Sequence, residues 1–295
     1  MGAGHPEQPA RVASVAQALA ESGLTLDAQI APAVSREALL RVHPETYLAL
    51  LESASPKQGY AMLDADTTLN AHTLTAAQHA AGAACAAVEW VVAGENRRSF
   101  CNVRPPGHHA LHDAAMGFCI YASVAVAAKH ALDGLEPTYG VTRVAIVDFD
   151  VHHGNGTEAC IAGDERIRLY STFQHPYYPH SGVPASAKNV INVPLSWGSG
   201  GREVRAAFEQ TVLPDLKTFA PDLIIISAGF DAHRDDPLAG LNFLEEDYAW
   251  MTSRLVEQAQ ASARGRVVSC LEGGYDLGAL GRSVVAHARA LNQIQ

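Results

Sequence analysis

Two stretches leave this chain little choice of architecture: RVAIV (143–147) and DLIIISA (222–228). Neither alternates apolar with polar residues. A strand with one wet face alternates with period two. A strand that is apolar at successive positions is buried on both faces, as in a parallel sheet covered by helices. Four more segments read as strands: SFCNV (99–103), RIRLYSTF (166–173), NVINVPL (189–195) and RVVSCLEGG (266–274). The first two runs extend to 143–150 and 222–230. Helical patterns lie between them, at 118–133, 201–219 and 246–263. Towards the N-terminus, 9–22 carries Val12, Val15, Ala16 and Leu19 on one stripe, and 35–43 starts behind a candidate N-cap, Ser35. A further helix is expected over 43–52. The Ala-rich run 73–93 predicts a long helix that packs close to a sheet. Strand–helix–strand alternation predicts an α/β fold with a central, mainly parallel, multi-stranded sheet flanked by helices. No repeat or linker interrupts the 295 residues, so one domain over 1–295 is expected.

In such sheets ligands bind beyond the carboxyl ends of the strands. The chemistry-bearing residues collect there. VDFDVHHGNGTE (147–158) supplies Asp148, Asp150 and His152; Ser227, Gly229 and Asp231 close another strand; Glu272, Gly273, Gly274 and Tyr275 close a third. RPPGHHA (104–110) adds His108 and His109. If the backbone stays extended through DFDVH, residues 148, 150 and 152 share a face. Asp150, His152 and Asp231 then offer two oxygens and one nitrogen, leaving positions open for water and substrate as a catalytic zinc requires. The competing reading is a cluster of capping and loop hydrogen bonds.

The His108–His109 doublet is stiffened by two prolines and follows a glycine. It suits acid–base work, because imidazole titrates near neutral pH. Asp148 could orient one ring and Asn155 the other. Tyr275 could donate to a developing oxyanion, or simply pack at a strand end. His5, His43, His72, His79, His112, His130, His233 and His287 read as structural or surface residues. His175 and His180 do too, although they lie close to the expected cleft. HHGNG lacks the lysine of a phosphate loop and carries acids where phosphate would sit.

Composition narrows the partners. A net charge of −10 argues against nucleic-acid binding, which depends on neutralising phosphates, and tolerates a cationic substrate. Five cysteines with no CxxC read as buried thiols in a reducing compartment. No apolar stretch approaches the roughly 18 residues of a membrane helix, and the start lacks a signal core. A soluble, cytoplasmic protein is expected, with no membrane partner. A homo-oligomer is left open.

Taken together, GHPEQPAR, RVHPETYL, RPPGHHA, MGFC, VDFDVHHGNGTE, YYPHSG, SAGFDAHRDDPLAGL and LEGGYD resemble the histone deacetylase family, in family order from residue 4 to about residue 278. The Asn of HHGNG and the form LEGGYD are most similar to the class II and bacterial branch. The resemblance implies the arginase/deacetylase fold and zinc-dependent amide hydrolysis, with one zinc per chain. It implies Asp150, His152 and Asp231 as zinc ligands and His108 and His109 as the tandem histidines, His109 being the general base and later acid. Tyr275 would polarise the acyl carbonyl. Gly117, Phe118 and Tyr178 would line an acyl-lysine channel, with Leu238 at its gate. Asp148 and Ser171 would hold a structural potassium ion, and Asp148 would also partner His108.

The sequence departs from the family pattern in three places. The strand and loop usual before GHPE are short or missing. Phe173 stands where histidine is common, and His180 where glycine is common. The expected substrate is an acylated lysine or a small acylated amine. An acetylpolyamine amidohydrolase is the alternative within the same chemistry, although Leu238 replaces the acidic gatekeeper associated with polyamine selectivity. A non-catalytic acyl-lysine reader should have lost Tyr275, a zinc ligand or a tandem histidine, and none is lost. An arginase-like dimetal enzyme needs carboxylates that HHG does not supply.

Overall fold

The computed structural model describes residues 2, 4–95 and 97–292. Six strands form one parallel sheet: β3 (Arg98–Cys101), β4 (Val144–Asp148), β5 (Ile167–Gln174), β6 (Val190–Leu195), β7 (Leu223–Ala228) and β8 (Val267–Leu271). Their order is β3-β8-β7-β4-β5-β6. Every pairing among them is parallel.

The unalternating runs explain the layers. Ile146, Leu169, Ile225 and Val268 point into one core, against α4 (Thr73–Ala93) and α5 (Ser123–Gly134). Their neighbours Ala145, Val147, Tyr170, Ile224, Ile226 and Val267 point into a second core on the opposite face. That core is closed by α1 (Ala10–Glu21), α8 (Gly201–Ala207), α9 (Leu213–Phe219), α10 (Glu245–Ser262) and α11 (Leu277–Leu291). Each buried Ile or Val contributes about 1.5–3 kcal/mol, so both faces must be covered. Ser35 caps α2 (Arg36–Leu40), accepting from the Ala38 N–H at 3.1 Å. α3 (Glu45–Ala54) follows it.

Several predicted boundaries move, each for a local reason. β4 ends at Asp148, not 150, so the extended-backbone argument for residues 148, 150 and 152 does not hold. The Asp148 carboxylate accepts from Asp150 N–H at 3.0 Å, and the Asp150 carboxylate accepts from His152 N–H at 2.9 Å. These side chain-to-backbone bonds replace the strand ladder and curl the chain. β7 and β8 likewise stop at Ala228 and Leu271, ahead of their glycines. α5 begins at Ser123, not 118, because Gly117 and Phe118 adopt left-handed φ of 56° and 68°. The helix expected over 201–219 holds a π-helical turn at Phe208–Val212. Pro214 lies just after it and cannot donate a backbone hydrogen bond.

Five elements fall outside the predicted set: the strands β1 (Ala61–Met62) and β2 (Thr68–Leu69) of a small hairpin, α6 (Glu136–Tyr139), α7 (Asn155–Ile161), and α11. The last was readable. Asp276 caps it at 2.7 Å, and Leu280, Val284 and Leu291 keep its helical stripe.

Candidate metal centre and acid–base site

The carboxyl ends of β4, β7 and β8 meet in a buried polar cluster. Asp150, His152 and Asp231 each offer one ligand atom, all within 4.8 Å of one another. His152 Nδ1 lies 3.0 Å from Asp150 Oδ1 and 3.3 Å from Asp231 Oδ2. The second oxygen of each carboxylate is fixed by backbone: Asp150 Oδ2 accepts from Gly273 N–H and Asp231 Oδ1 from Val151 N–H, both at 2.9 Å. Asp231 Oδ2 is buried and, among the described residues, receives no hydrogen bond. A buried, unsatisfied carboxylate oxygen beside a second carboxylate and an imidazole nitrogen fits a divalent cation. The field agrees. Burial opposes charge on His152, yet Asp150 and Asp231 outweigh it and push the ring up to about 10. A metal would take the place of that proton.

Glycine is demanded close by. A Cβ on Gly273 would come within 2.0 Å of Asp231 Oδ2, and one on Gly229 within 2.0 Å of Asp150 Oδ2.

The tandem histidines lie beside this cluster. His108 Nδ1 is 3.1 Å from Asp148 Oδ2, and its Nε2 is 3.7 Å from Asp150 Oδ1. His109 Nδ1 is 2.7 Å from Asn155 Oδ1. The rings are 4.0 Å apart. Their environments separate them. Burial disfavours charge on His108, but Asp150 and Asp148 prevail and hold it well above the usual histidine value. Burial, reinforced by the charges of His108 and His152, pushes His109 well below it. Neighbouring titratable groups driven apart in this way suit acid–base work.

Tyr275 lies against the Phe118 edge at 6.1 Å, with the Arg11 guanidinium 5.0 Å from its ring. Burial pushes its phenol well above the usual value, so it remains a donor. Phe118 and Gly117 are tied to the hairpin by Thr67 Oγ1 and Asp66 Oδ1, at 3.1 and 3.0 Å. Gly117 is obligatory, since a Cβ there would meet the His109 ring at 2.4 Å. Tyr178 stands edge-on to His109 at 5.3 Å, and its hydroxyl reaches Asp66 Oδ2 at 3.3 Å. Leu238 enters through its carbonyl, which accepts from Tyr177 Oη. Ser171 aligns with Asp148 across β5 and β4. Its buried hydroxyl has no hydrogen-bond partner among the described residues, so Asp148 and Ser171 would suit a cation.

Sequence reasoning assigned no role to several residues that the fold brings here. Glu272, fully buried, accepts from Gly107 N–H at 2.6 Å, His108 N–H at 3.1 Å and Ser227 Oγ at 3.0 Å. Burial pushes it up to about 7. Asp236 accepts from Tyr275 N–H at 2.7 Å. Arg11 Nε donates to the Gly274 carbonyl at 2.6 Å, and Glu7 pairs with Arg104 at 2.5 Å. Tyr177 stacks on His152 at 5.6 Å. The signals were charged residues inside GHPEQPAR and LEGG, and the first tyrosine of YYPHSG. His5, set aside as structural or surface, meets Phe118 edge-on at 4.7 Å. Phe173 is buried against His153, whereas His180 is exposed with a left-handed φ of 63°. No helix among the described residues is long and apolar enough to cross a membrane, and all five cysteines are free.

Comparison with known proteins adds a frame to this geometry. The sequence pattern described as Histone deacetylase domain matches residues 5–291. The chain is 41% identical over 298 residues to an uncharacterised protein of Synechocystis sp., covering 98% of this chain and 94% of the other. It is 38% identical over 282 residues to the histone deacetylase-like amidohydrolase of Pseudomonas aeruginosa, covering 92% and 73%. It is 36% identical over 311 residues to the chloroplastic histone deacetylase 14 of Arabidopsis thaliana, covering 97% and 73%. The crystal structure of the HDA15 HD domain superposes with a TM-score of 0.88 at 34% identity, over 99% of this chain and 84% of that one.

Proposed function

The chain belongs to the histone deacetylase family and is a deacetylase-type hydrolase; from that premise we propose that it cleaves acyl groups from acylated amines, Nε-acyl-lysine first among them, with zinc held by Asp150, His152 and Asp231. The observation that carries this reading is the buried, unsatisfied Asp231 oxygen facing Asp150 and His152, with the histidine doublet alongside. Zinc, when bound, would polarise the acyl carbonyl and acidify the attacking water.

This chain's own residues do the rest. His109, its Nδ1 engaged by Asn155, leaves Nε2 free to take the water's proton. Asp148 holds His108 and keeps positive charge on that side of the pair. The tetrahedral oxyanion receives the Tyr275 hydroxyl, a preorganised donor. A protonated histidine then delivers a proton to the leaving amine, which departs poorly without one. Phe118 and Tyr178 are the channel walls, and Leu238 is the apolar gate. Asp148 and Ser171 hold potassium as a structural ion. The free thiols suit a reducing cytoplasm.

A small acylated polyamine is the second reading, favoured by the net charge of −10 but not by the apolar Leu238. The test is turnover of zinc-loaded protein on an acetyl-lysine peptide and on N-acetylputrescine, beside a metal count. One zinc per chain and preference for the peptide are expected. Preference for the polyamine replaces the substrate. Inertness on both with zinc bound overturns the deacylase reading, and two metals per chain would favour a dimetal hydrolase.

A further inference from the structure

The second doublet holds one histidine without a role in this chemistry. His153 follows ligand His152 but points away into the protein and is 2% exposed. Its Nδ1 lies 2.8 Å from Ser181 Oγ and its Nε2 2.8 Å from Glu158 Oε2. Glu158 Oε1 accepts from Ser186 N–H at 2.8 Å, and Asn192 Nδ2 bridges Glu158 Oε2 at 2.7 Å to the Gly182 carbonyl at 2.9 Å. A Cβ on Gly182 would meet the Phe173 ring at 2.7 Å and the His153 ring at 2.8 Å. Ser181, Gly182 and Ser186 all belong to the segment between β5 and β6. Among the described residues no backbone–backbone hydrogen bond ties 176–186 to another segment. Side chains alone hold it, and its inner end carries Tyr177 against His152 and Tyr178 against His109.

We propose that His153 is the positioning residue of this segment, fixing the Tyr177–Tyr178 wall and so the size of acyl group that the channel accepts. The proposal rests on the deacylase reading for its consequence in selectivity, but not for the anchoring itself. His152 and His153 thus divide the work of one doublet. The first faces the metal position, and the second fastens the channel wall to the same strand end. A wall fastened next to a metal ligand keeps its distance from the reacting carbonyl, and selectivity among acyl lengths depends on that distance.

The experiment compares wild type with His153→Ala, Ser181→Ala and the conservative His153→Gln. Three quantities are read: zinc per chain, deuterium uptake over 175–186, and the ratio of kcat/KM for butyryl-lysine and acetyl-lysine peptides. His153→Ala and Ser181→Ala should keep zinc, raise uptake in the segment and shift the ratio several-fold towards the longer acyl group. His153→Gln should restore much of both. A merely structural histidine would lower Tm and leave the ratio and the segment's uptake unchanged, and that result overturns the proposal. So does loss of zinc with the segment still protected. If His153→Ala does not fold, Ser181→Ala, which removes only the outer anchor, decides alone. Inert wild type with a loosened segment in the variants would sink the deacylase reading and spare the anchoring; active wild type with unchanged variants would do the reverse.

Discussion

Asp150 and Asp231 are buried carboxylates that converge on one imidazole nitrogen, an arrangement that repels itself unless a positive charge lies between them. Asp231→Asn keeps an oxygen for Val151 N–H but removes the charge from the ligand set. Zinc should become substoichiometric after dialysis and amidase activity should vanish, while the unfolding transition remains cooperative. Full activity in a zinc-loaded variant would remove Asp231 from the centre. Tyr275→Phe is the complementary case, since it leaves Asp150, His152 and Asp231 intact. Zinc should stay at one per chain and kcat should fall on the order of 100-fold, the usual cost of one lost oxyanion donor. An unchanged kcat would take Tyr275 out of the reaction. At this scale the convergence of Asp150, His152 and Asp231 was legible because carboxylates and a histidine directly after an apolar strand have few other uses. Glu272 and Asp236 were not legible. Each acts on backbone N–H groups far away in sequence, and nothing local announces such a partner.

Elements meet at histidines that were read as bland. His43, in the turn between α2 and α3, is fully buried; its Nδ1 donates to the His112 carbonyl at 2.9 Å and its Nε2 accepts from Ala122 N–H at 3.0 Å. That accepting nitrogen requires a neutral ring, and burial lowers the pKa from 6.5 to about 4. The folded chain therefore binds fewer protons than the unfolded chain between those values. The contribution of His43 is fully present above pH 6.5 and is lost as pH falls towards 4. At about 1.4 kcal/mol per unit, the loss is on the order of 3 kcal/mol. Asp236 and Glu272, each pushed up to about 7, act in the opposite sense, so the difference between two proteins is the useful quantity. His43→Gln should be less stable at neutral pH but lose less Tm on acidification through this window; parallel Tm curves would refute the assignment. Element types were largely legible, because double-sided burial leaves continuous apolar runs. Their ends were not. Asp148 and Asp150 bond to backbone two residues on, Phe118 takes a left-handed φ, and Pro214 is accommodated by a π turn. These events are set by one or two residues and are invisible to periodicity.

At the scale of the whole molecule, 31 acids against 21 bases leave a net charge of −10, and Asp66 with its neighbour Asp64 adds negative charge beside Tyr178 and Gly117. Such a field raises the local concentration of cations and guides them at long range, and salt weakens it as the Debye length shrinks from about 30 Å at 0.01 M to about 8 Å at 0.15 M. The fold concentrates the effect, because the carboxyl ends of β4, β7 and β8 that build the site lie at the same end of the parallel sheet. An acetyl-lysine peptide flanked by arginines should therefore lose kcat/KM as salt is raised over that range. The same peptide flanked by glutamates should hold level or gain. The change should lie in KM rather than kcat, since the field acts on encounter and not on the buried reaction centre. Equal salt slopes for the two peptides would mean that the negative surface does not reach the site, and substrate choice would then rest on the proposed walls, Phe118 and Tyr178, and the proposed gate, Leu238.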